Sequence, residues 1–243
     1  MRELRIAGIF FMFLLIVAVA SFVLATPTGP NNLTVISSQR YSTAPSQTTN
    51  AMAGNVSELS FAANTITQTW QGYFGNITGT IVLGNSNNQS LYSWNLISAH
   101  GQIYATRTST VPAWTSVKCA NLTEVQGEDT ALNVNESVAA DSVNNTFLNT
   151  TDFAQFYVGA ININTSQGCF AARLYNSTGQ SSTTHFGEVL LKEPGTNIIY
   201  TSILDQKALG FDSRTHDFEM LVGEDGHSGD TSTTPYYFYV ELS

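Results

Sequence analysis

The C-terminal stretch Tyr236–Leu242, with the sequence YYFYVEL, shows the clearest strand pattern in the chain. Successive side chains of a β-strand point to opposite faces, so the stretch presents two sets of residues. One face carries Tyr236, Phe238, Val240 and Leu242, and the other carries Tyr237, Tyr239 and Glu241. Because both faces are apolar near its start, we expect a central strand between two layers or an edge strand that pairs with another copy.

Similar short runs, apolar or alternating and separated by turn residues, recur through the rest of the chain. Five of them lie in the first half of the sequence, namely Val56–Phe61, Thr65–Trp70, Ile77–Leu83, Leu91–Leu96 and Gln102–Arg107. Four more follow the second cysteine, namely Cys169–Tyr175, Gly187–Leu191, Ile198–Leu204 and Phe218–Val222. The polar residues 85–88 between two of the runs predict a hairpin turn. The pattern is typical of an all-β fold with a single β-sandwich-like domain.

Helical signals are weak by comparison. The best candidate for a short helix is Val138–Val158, although Asn144, Asn145 and Asn149 interrupt it. The chain shows no internal repeat of about 20 to 50 residues, which argues against solenoids and propellers.

An uncharged apolar run from Ile6 to Ala25 follows the basic residues Arg2 and Arg5. As a helix, about 20 residues at about 1.5 Å each span about 30 Å, the hydrocarbon thickness of a bilayer, which favours a membrane anchor. The small side chains near Ala25 suit a cleaved signal peptide, so secretion stays open as well. In both cases the basic start remains on the cytoplasmic side and the rest of the chain is extracellular.

The sequence therefore divides into three segments. Residues 1–25 are a signal peptide or membrane anchor, residues 26–50 are a linker or stalk rich in Ser, Thr and Pro, and residues 51–243 are the extracellular domain.

Composition limits the partners of this chain. Of its 243 residues 42% are hydrophobic, which is enough for one sizeable core. Nine Lys and Arg stand against 18 Asp and Glu, and the net charge of -9 repels phosphate backbones and anionic lipids. We expect no nucleic-acid partner, and membrane contact only through residues 6–25.

Ten Asn-x-Ser/Thr sequons give a second indication of an extracellular protein, and we predict N-linked glycans on them. They are Asn32, Asn55, Asn76, Asn88, Asn121, Asn135, Asn144, Asn149, Asn164 and Asn176. The alternative is that Asn and Thr serve only as turn formers in a polar β protein.

Cys119 and Cys169 are the only cysteines, and an even number outside the cytosol predicts one disulfide. They lack the close spacing of redox or metal-binding cysteines. We expect the bond to be structural, because closing a loop of about 50 residues stabilises a fold by about 4 kcal/mol.

The loop Glu224–Asp230, with the sequence EDGHSGD, contains the densest cluster of acidic residues and one imidazole. Its spacing does not match a calcium-binding EF-hand loop, so we predict a solvated connection between strands. It also fails as a nucleophile elbow, because Asp230 stands where that motif needs glycine. We predict no catalytic residue, no metal, no cofactor and no enzymatic activity; a hydrolase with two paired carboxylates is a lesser alternative.

Aromatic residues allow one further interpretation. Trp70–Gly75 (WQGYFG), together with Trp94 and Trp114, would suit a platform for stacking sugar rings. The alternating pattern before Trp70 favours packing in the core instead.

Two stretches, Trp70–Leu83 (WQGYFGNITGTIVL) and Tyr236–Leu242 (YYFYVEL), resemble uncharacterised exported proteins of archaea. Those proteins share a hydrophobic N-terminus, abundant sequons and a β-rich body. The resemblance implies an archaeal cell-surface glycoprotein, and it implies no activity.

These features together predict an extracellular or cell-surface glycoprotein with a structural or adhesive role, self-assembling through strand edges as a homo-oligomer, surface layer or filament. A pilin-like version would use Ile9–Ala25 as its assembly helix, but Pro27 and Pro30 would end that helix. The alternative function is a carbohydrate-binding module on the cell surface.

Overall fold

The structure is a computed structural model of the chain, and it describes residues 25–96, 98, 100–135, 138–195, 197–226 and 232–242. The predicted signal peptide or anchor lies outside the described residues except for Ala25. Within the described part, no helix is both long and apolar enough to cross a bilayer.

Antiparallel β-strands make up most of the regular structure in the described ranges. The strands are β1 (Trp70–Gly75), β2 (Thr80–Gly84), β3 (Ser90–Asn95), β4 (Gly101–Thr106), β5 (Lys118–Cys119), β6 (Phe156–Val158), β7 (Ile161–Ile163), β8 (Ala171–Arg173), β9 (Gly187–Lys192), β10 (Ile198–Ile203), β11 (Ala208–Leu209), β12 (Thr215–His216), β13 (Phe218–Gly223) and β14 (Tyr237–Leu242). The helices are α1 (Leu122–Ala131) and α2 (Val143–Thr146), with 3₁₀ turns at Trp114–Ser116 and Thr165–Gln167. This content agrees with the all-β fold class.

A six-stranded sheet forms the centre of the molecule. Its strands run in the order β14-β4-β10-β9-β5, and β8 also pairs with β9. β10 lies between β4 and β9 and is antiparallel to both. The C-terminal strand β14 pairs with β4 along its whole length, so the YYFYVEL stretch joins this sheet at one edge.

Both faces of the central sheet are buried. Along β10, Ile198 and Tyr200 belong to one apolar cluster and Ile199 to the other, as strand alternation requires. The first cluster continues into β13 and α1, and the second into the residues around Trp114 and β6. Because both faces of β10 are covered, even its polar residues Thr201 and Ser202 are buried.

A two-stranded sheet of β1 and β13 covers the first cluster. Three side chains from outside the sheet bond the β13 backbone. Ser202 Oγ donates to Glu219 O at 2.7 Å, and Tyr236 OH, just before β14, donates to Gly223 O at 2.6 Å. In the third bond, Glu188 Oε2 accepts from Leu221 N at 2.8 Å. These bonds satisfy main-chain groups of a buried strand that a third strand would otherwise pair.

Two predicted strands are wrong. Val56–Phe61 has no regular secondary structure, and Thr65–Trp70 contributes only Trp70 to a strand. All residues from 31 to 65 are exposed, so the apolar side chains of this part have no layer to pack against. Thr28, by contrast, bridges Val240 on β14 through two backbone hydrogen bonds of 3.0 and 2.8 Å.

The helical prediction is also largely wrong. Only Val143–Thr146 of the predicted Val138–Val158 is helical, and Phe156–Val158 is a strand. The longer helix α1 was not predicted. It begins with a capping box, in which Asn121 Oδ1 accepts from Thr123 N at 2.9 Å and Glu124 Oε2 accepts from Asn121 N at 3.0 Å.

Candidate functional site

The hairpin formed by β2 and β3 differs from every other strand pair in the described residues, because all eleven of its strand residues are exposed. Its strands pair only with each other. We call the segment Thr80–Asn95 the exposed hairpin. Strands normally bury at least one face, and this pair buries neither face within the described part of the chain.

The turn of the exposed hairpin matches the prediction for residues 85–88. Asn85 Oδ1 accepts from Asn87 N and Gln89 N, both at 3.0 Å, and Asn85 N donates to Gln89 O. Asn88 has a φ of 60°, a left-handed conformation that asparagine tolerates better than most residues. Local side-chain chemistry thus fixes the turn of the hairpin.

One face of the exposed hairpin is apolar throughout. Ile81 pairs with Trp94 and Leu83 with Tyr92, and directly opposed residues share a face. The exposed fractions of these side chains lie between 48% for Trp94 and 60% for Tyr92. The rings of Tyr92 and Trp94 are 4.9 Å apart between centroids. We call these four residues the aromatic face.

The opposite face of the hairpin is mixed. It carries Thr80, Val82, Leu91, Ser93 and Asn95. Residues 76–99 contain no Asp, Glu, Lys, Arg or His, a run without charge in a protein of net charge -9. Electrostatic attraction therefore contributes little to any contact made by the hairpin itself.

The other two tryptophans are parts of the fold. Trp70 packs against Phe147 and Tyr200, and Trp114 is buried between Tyr104 and Tyr239. Trp94 is thus the only exposed tryptophan among the described residues. The platform of three tryptophans considered from the sequence does not form.

The predicted disulfide between Cys119 and Cys169 is present, with 4.8 Å between the Cα atoms. It joins the end of β5 to the segment that leads into β8, and both of these strands pair with β9. The bond thus closes the 50-residue excursion that contains both helices.

The ten sequons lie at the surface or close to it. Exposed asparagines are Asn32, Asn55, Asn76, Asn88, Asn121, Asn135 and Asn149, and partly exposed ones are Asn144, Asn164 and Asn176. Several also fix local backbone: Asn121 caps α1, Asn164 caps a 3₁₀ turn, and Asn176 Oδ1 accepts from Thr178 N at 2.9 Å. Glycosylation itself stays a prediction.

A partly buried ion pair connects α1 to the central sheet. Arg107 Nη2 contacts Glu128 Oε2 at 2.5 Å, and Tyr200 OH donates to Glu128 Oε1 at 3.0 Å. Burial opposes the charge on Arg107, but the hydrogen bond and charge of Glu128 outweigh it and raise the Arg107 pKa. Both carboxylate oxygens of Glu128 thus take part in holding the helix to the sheet.

Glu188 on β9 is a second buried acid, with no exposed surface. Its Oε2 accepts from Leu221 N, and within the described residues its Oε1 has no partner. Burial raises the pKa of Glu188 well above its usual range. The Glu188 carboxyl serves as an acceptor for the β13 backbone.

Asp212 organises the loop between β11 and β12. It bonds Arg214 Nε at 2.6 Å and His216 Nε2 at 2.8 Å. Burial disfavours the charged form, but the bonds from His216 and Arg214 outweigh it and lower the pKa to about 2. No nucleophilic hydroxyl is among the bonding partners that the structure gives for this Asp–His pair.

An open groove of about 1750 Å³ lies beside β1 and is lined also by residues 38–41 and 63–68. Two of the charged residues in its wall, Arg173 and Glu219, bond to backbone groups nearby. Arg173 Nε donates to Asp152 O at 2.9 Å, and Glu219 Oε1 accepts from Phe211 N at 3.0 Å. The groove therefore contains no arrangement that identifies a reaction.

In the loop Glu224–Asp230, residues 227–230 lie outside the described ranges. The prediction that this loop binds no metal therefore stays a prediction. Glu224 there accepts from Thr234 Oγ1 at 3.2 Å. No group of three or more His, Cys, Asp or Glu suited to a metal occurs among the described residues.

Comparison of the chain with protein-family models, with curated proteins and with solved structures finds no match.

Proposed function

We propose that this protein is an extracellular structural or adhesive glycoprotein of the cell surface, and that the exposed hairpin is its contact element. The N-terminal hydrophobic segment directs the chain out of the cytosol, as an anchor or as a cleaved signal peptide. In this proposal the β1–β13 sheet and the central sheet act as a sandwich-like body that presents the hairpin.

One observation carries the proposal. Six large apolar side chains of the hairpin are exposed by about half or more: Ile81, Val82, Leu83, Leu91, Tyr92 and Trp94. The body does not need them for its core, because they belong to neither apolar cluster. Contiguous exposed apolar surface of this kind is typical of interaction sites in soluble domains.

The disulfide and the placement of the sequons support an extracellular role. Disulfides persist in oxidising compartments, and this one closes a long loop. Asn88 is in the hairpin turn and Asn76 precedes the hairpin, so neither asparagine is on the aromatic face. Glycans on these residues would flank the contact surface.

The contact role is tested by displaying the full chain on cells and replacing both Tyr92 and Trp94 with Ser. We expect cell adhesion or surface assembly to fall at least fivefold, with the unfolding midpoint unchanged. The matched control replaces Tyr157 and Tyr175, exposed tyrosines of the body, and should leave adhesion unchanged. Equal adhesion by wild type and the hairpin variant would refute the contact role.

The cellular location has a separate test. N-terminal sequencing and intact-mass measurement of the natively expressed protein should show either a retained or a cleaved leader, together with glycan mass and a closed disulfide. Free thiols and bare asparagines on protein recovered from the cytosol would rule out the surface role.

A carbohydrate-binding module is the second candidate, and the exposed Tyr92–Trp94 ring pair favours it. Flat rings with polar edges suit sugar stacking. On a glycan array the full chain would bind, and Trp94→Ala would lose binding. Trp94 is the residue to change, since Trp70 packs in the body. An array without signal would dismiss this candidate.

A further inference from the structure

We infer that the partner of the exposed hairpin is a second copy of this chain, packed aromatic face against aromatic face. This inference rests on the proposed function and makes it more specific. It concerns Ile81, Leu83, Tyr92 and Trp94, which strand register places on one side of the hairpin.

Charge supports an identical partner. Two bodies of net charge -9 repel each other, and this repulsion decays over a Debye length of about 8 Å in physiological salt. The hairpin carries no charge between residues 76 and 99, so its contact surface adds nothing to this repulsion. Two neutral faces meet without desolvating any ion, whereas a charged partner finds no counter-charge between residues 76 and 99.

Geometry also suits a symmetric pair. Two sheets stack face to face about 10 Å apart when their apolar faces interdigitate. Two hairpins related by a twofold axis would form such a stack of four strands, in which each copy uses the same residues. A lone two-stranded hairpin is only marginally stable in water, and the second hairpin would cover the face that each one leaves open.

The available area sets the expected strength. A fully covered aromatic side chain buries about 150–250 Å², so four side chains that are about half exposed offer roughly 400 Å² per copy. A pair would then bury roughly 800 Å², which is in the range of weak, transient contacts. Such contacts become effective when the copies are held at one surface, because tethering raises their local concentration.

Two adjacent substitutions provide a matched test. Ile81 and Val82 are both β-branched and are 52% and 51% exposed, but they point to opposite faces. Ile81→Lys would place like charges against each other in the pair, whereas Val82→Lys would stay in solvent. The loss of β-propensity is the same in both, so hairpin stability is controlled.

Self-association of the full, glycosylated chain in detergent is measured by sedimentation velocity over a concentration series. We expect Ile81→Lys to weaken association at least tenfold relative to wild type, and Val82→Lys to remain within twofold. The comparison between variants cancels any association through the N-terminal segment.

Equal behaviour of the two variants would overturn the inference. If the wild type stays monomeric to the highest concentration while the Tyr92/Trp94 variant still loses adhesion, the partner is another molecule. That result would leave the proposed contact role intact. If adhesion is also unaffected, the contact role itself fails.

Discussion

The exposed hairpin and the central strands β9 and β10 share a similar apolar composition but differ in their environment. In β9 and β10, ten of twelve residues are buried and the other two are partly exposed. In β2 and β3 all eleven residues are exposed. Apolar residues therefore stabilise the fold in one region and are available for contacts in the other.

Because of this contrast, substitutions in β9 or β10 should affect folding stability, whereas substitutions in the exposed hairpin should affect contacts with other molecules. A substitution in β9 or β10 removes atoms from a packed interior and leaves a cavity. The same substitution in the exposed hairpin removes surface that is already in water, so its effect on folding is small.

The largest predicted difference compares two leucines. Leu190 on β9 has no exposed surface and Leu83 on β2 is 52% exposed. We expect Leu190→Ala to lower the free energy of unfolding by about 3 kcal/mol and Leu83→Ala by less than about 1 kcal/mol. Urea unfolding with the disulfide intact measures both. Comparable losses would show that the hairpin is part of the core.

A medium effect concerns pH and the buried Glu188. Because the pKa of Glu188 is raised in the folded protein, the carboxyl ionises at lower pH in the unfolded chain than in the folded one. Its contribution to the free energy of unfolding is therefore fully present below the usual glutamate pKa. That contribution is lost as pH rises towards the folded pKa. The expected slope in that window is about 1.4 kcal/mol per pH unit. Glu188→Gln retains an acceptor for Leu221 N and removes the slope.

The measurement is the difference in unfolding free energy between wild type and Glu188→Gln at pH 5 and pH 7. The stability of Glu188→Gln relative to wild type should be greater at pH 7 than at pH 5. Glu58→Gln serves as the control, because Glu58 lies among the exposed residues 31–65. Parallel pH profiles of wild type and Glu188→Gln would contradict the raised folded pKa of Glu188.

The smallest predicted effect concerns the two roles of Asn121, as a sequon acceptor and as a helix cap. Asn121 is both the sequon acceptor and the N-cap of α1, so Asn121→Ala should cost about 1 kcal/mol in unfolding free energy. Thr123→Ala destroys the sequon but retains the Asn121 side chain. Unglycosylated protein separates the two roles: there Thr123→Ala should remain close to wild type. Equal losses from both substitutions would show that the cap contributes nothing.

Sequence patterns located the central strands because buried strands are rich in apolar residues, as at Ile198–Tyr200, and because YYFYVEL alternates so clearly. The hairpin turn was equally readable, since Asn85 bonds only within the turn. The pattern could not distinguish strands that are buried from strands that remain exposed, because exposure depends on distant partners.

Helix α1 is an element that the sequence pattern did not reveal. α1 contains Gly127 and two threonines and lacks an apolar stripe, so no helical period was visible. The Asn-x-x-Glu capping box at Asn121 and Glu124 was the available signal. What holds α1 is its tertiary contacts, above all the pairing of Glu128 with Arg107, which are 21 residues apart.

The most direct test of the contact role is oxidative footprinting of Tyr92 and Trp94 on intact cells and on the purified chain. Tyr175 is 56% exposed against 60% for Tyr92 and provides the internal reference. We expect both hairpin rings to react in the purified dilute protein and to be protected on cells, while Tyr175 reacts equally in both. Equal labelling of the hairpin on cells and in solution would contradict the contact role.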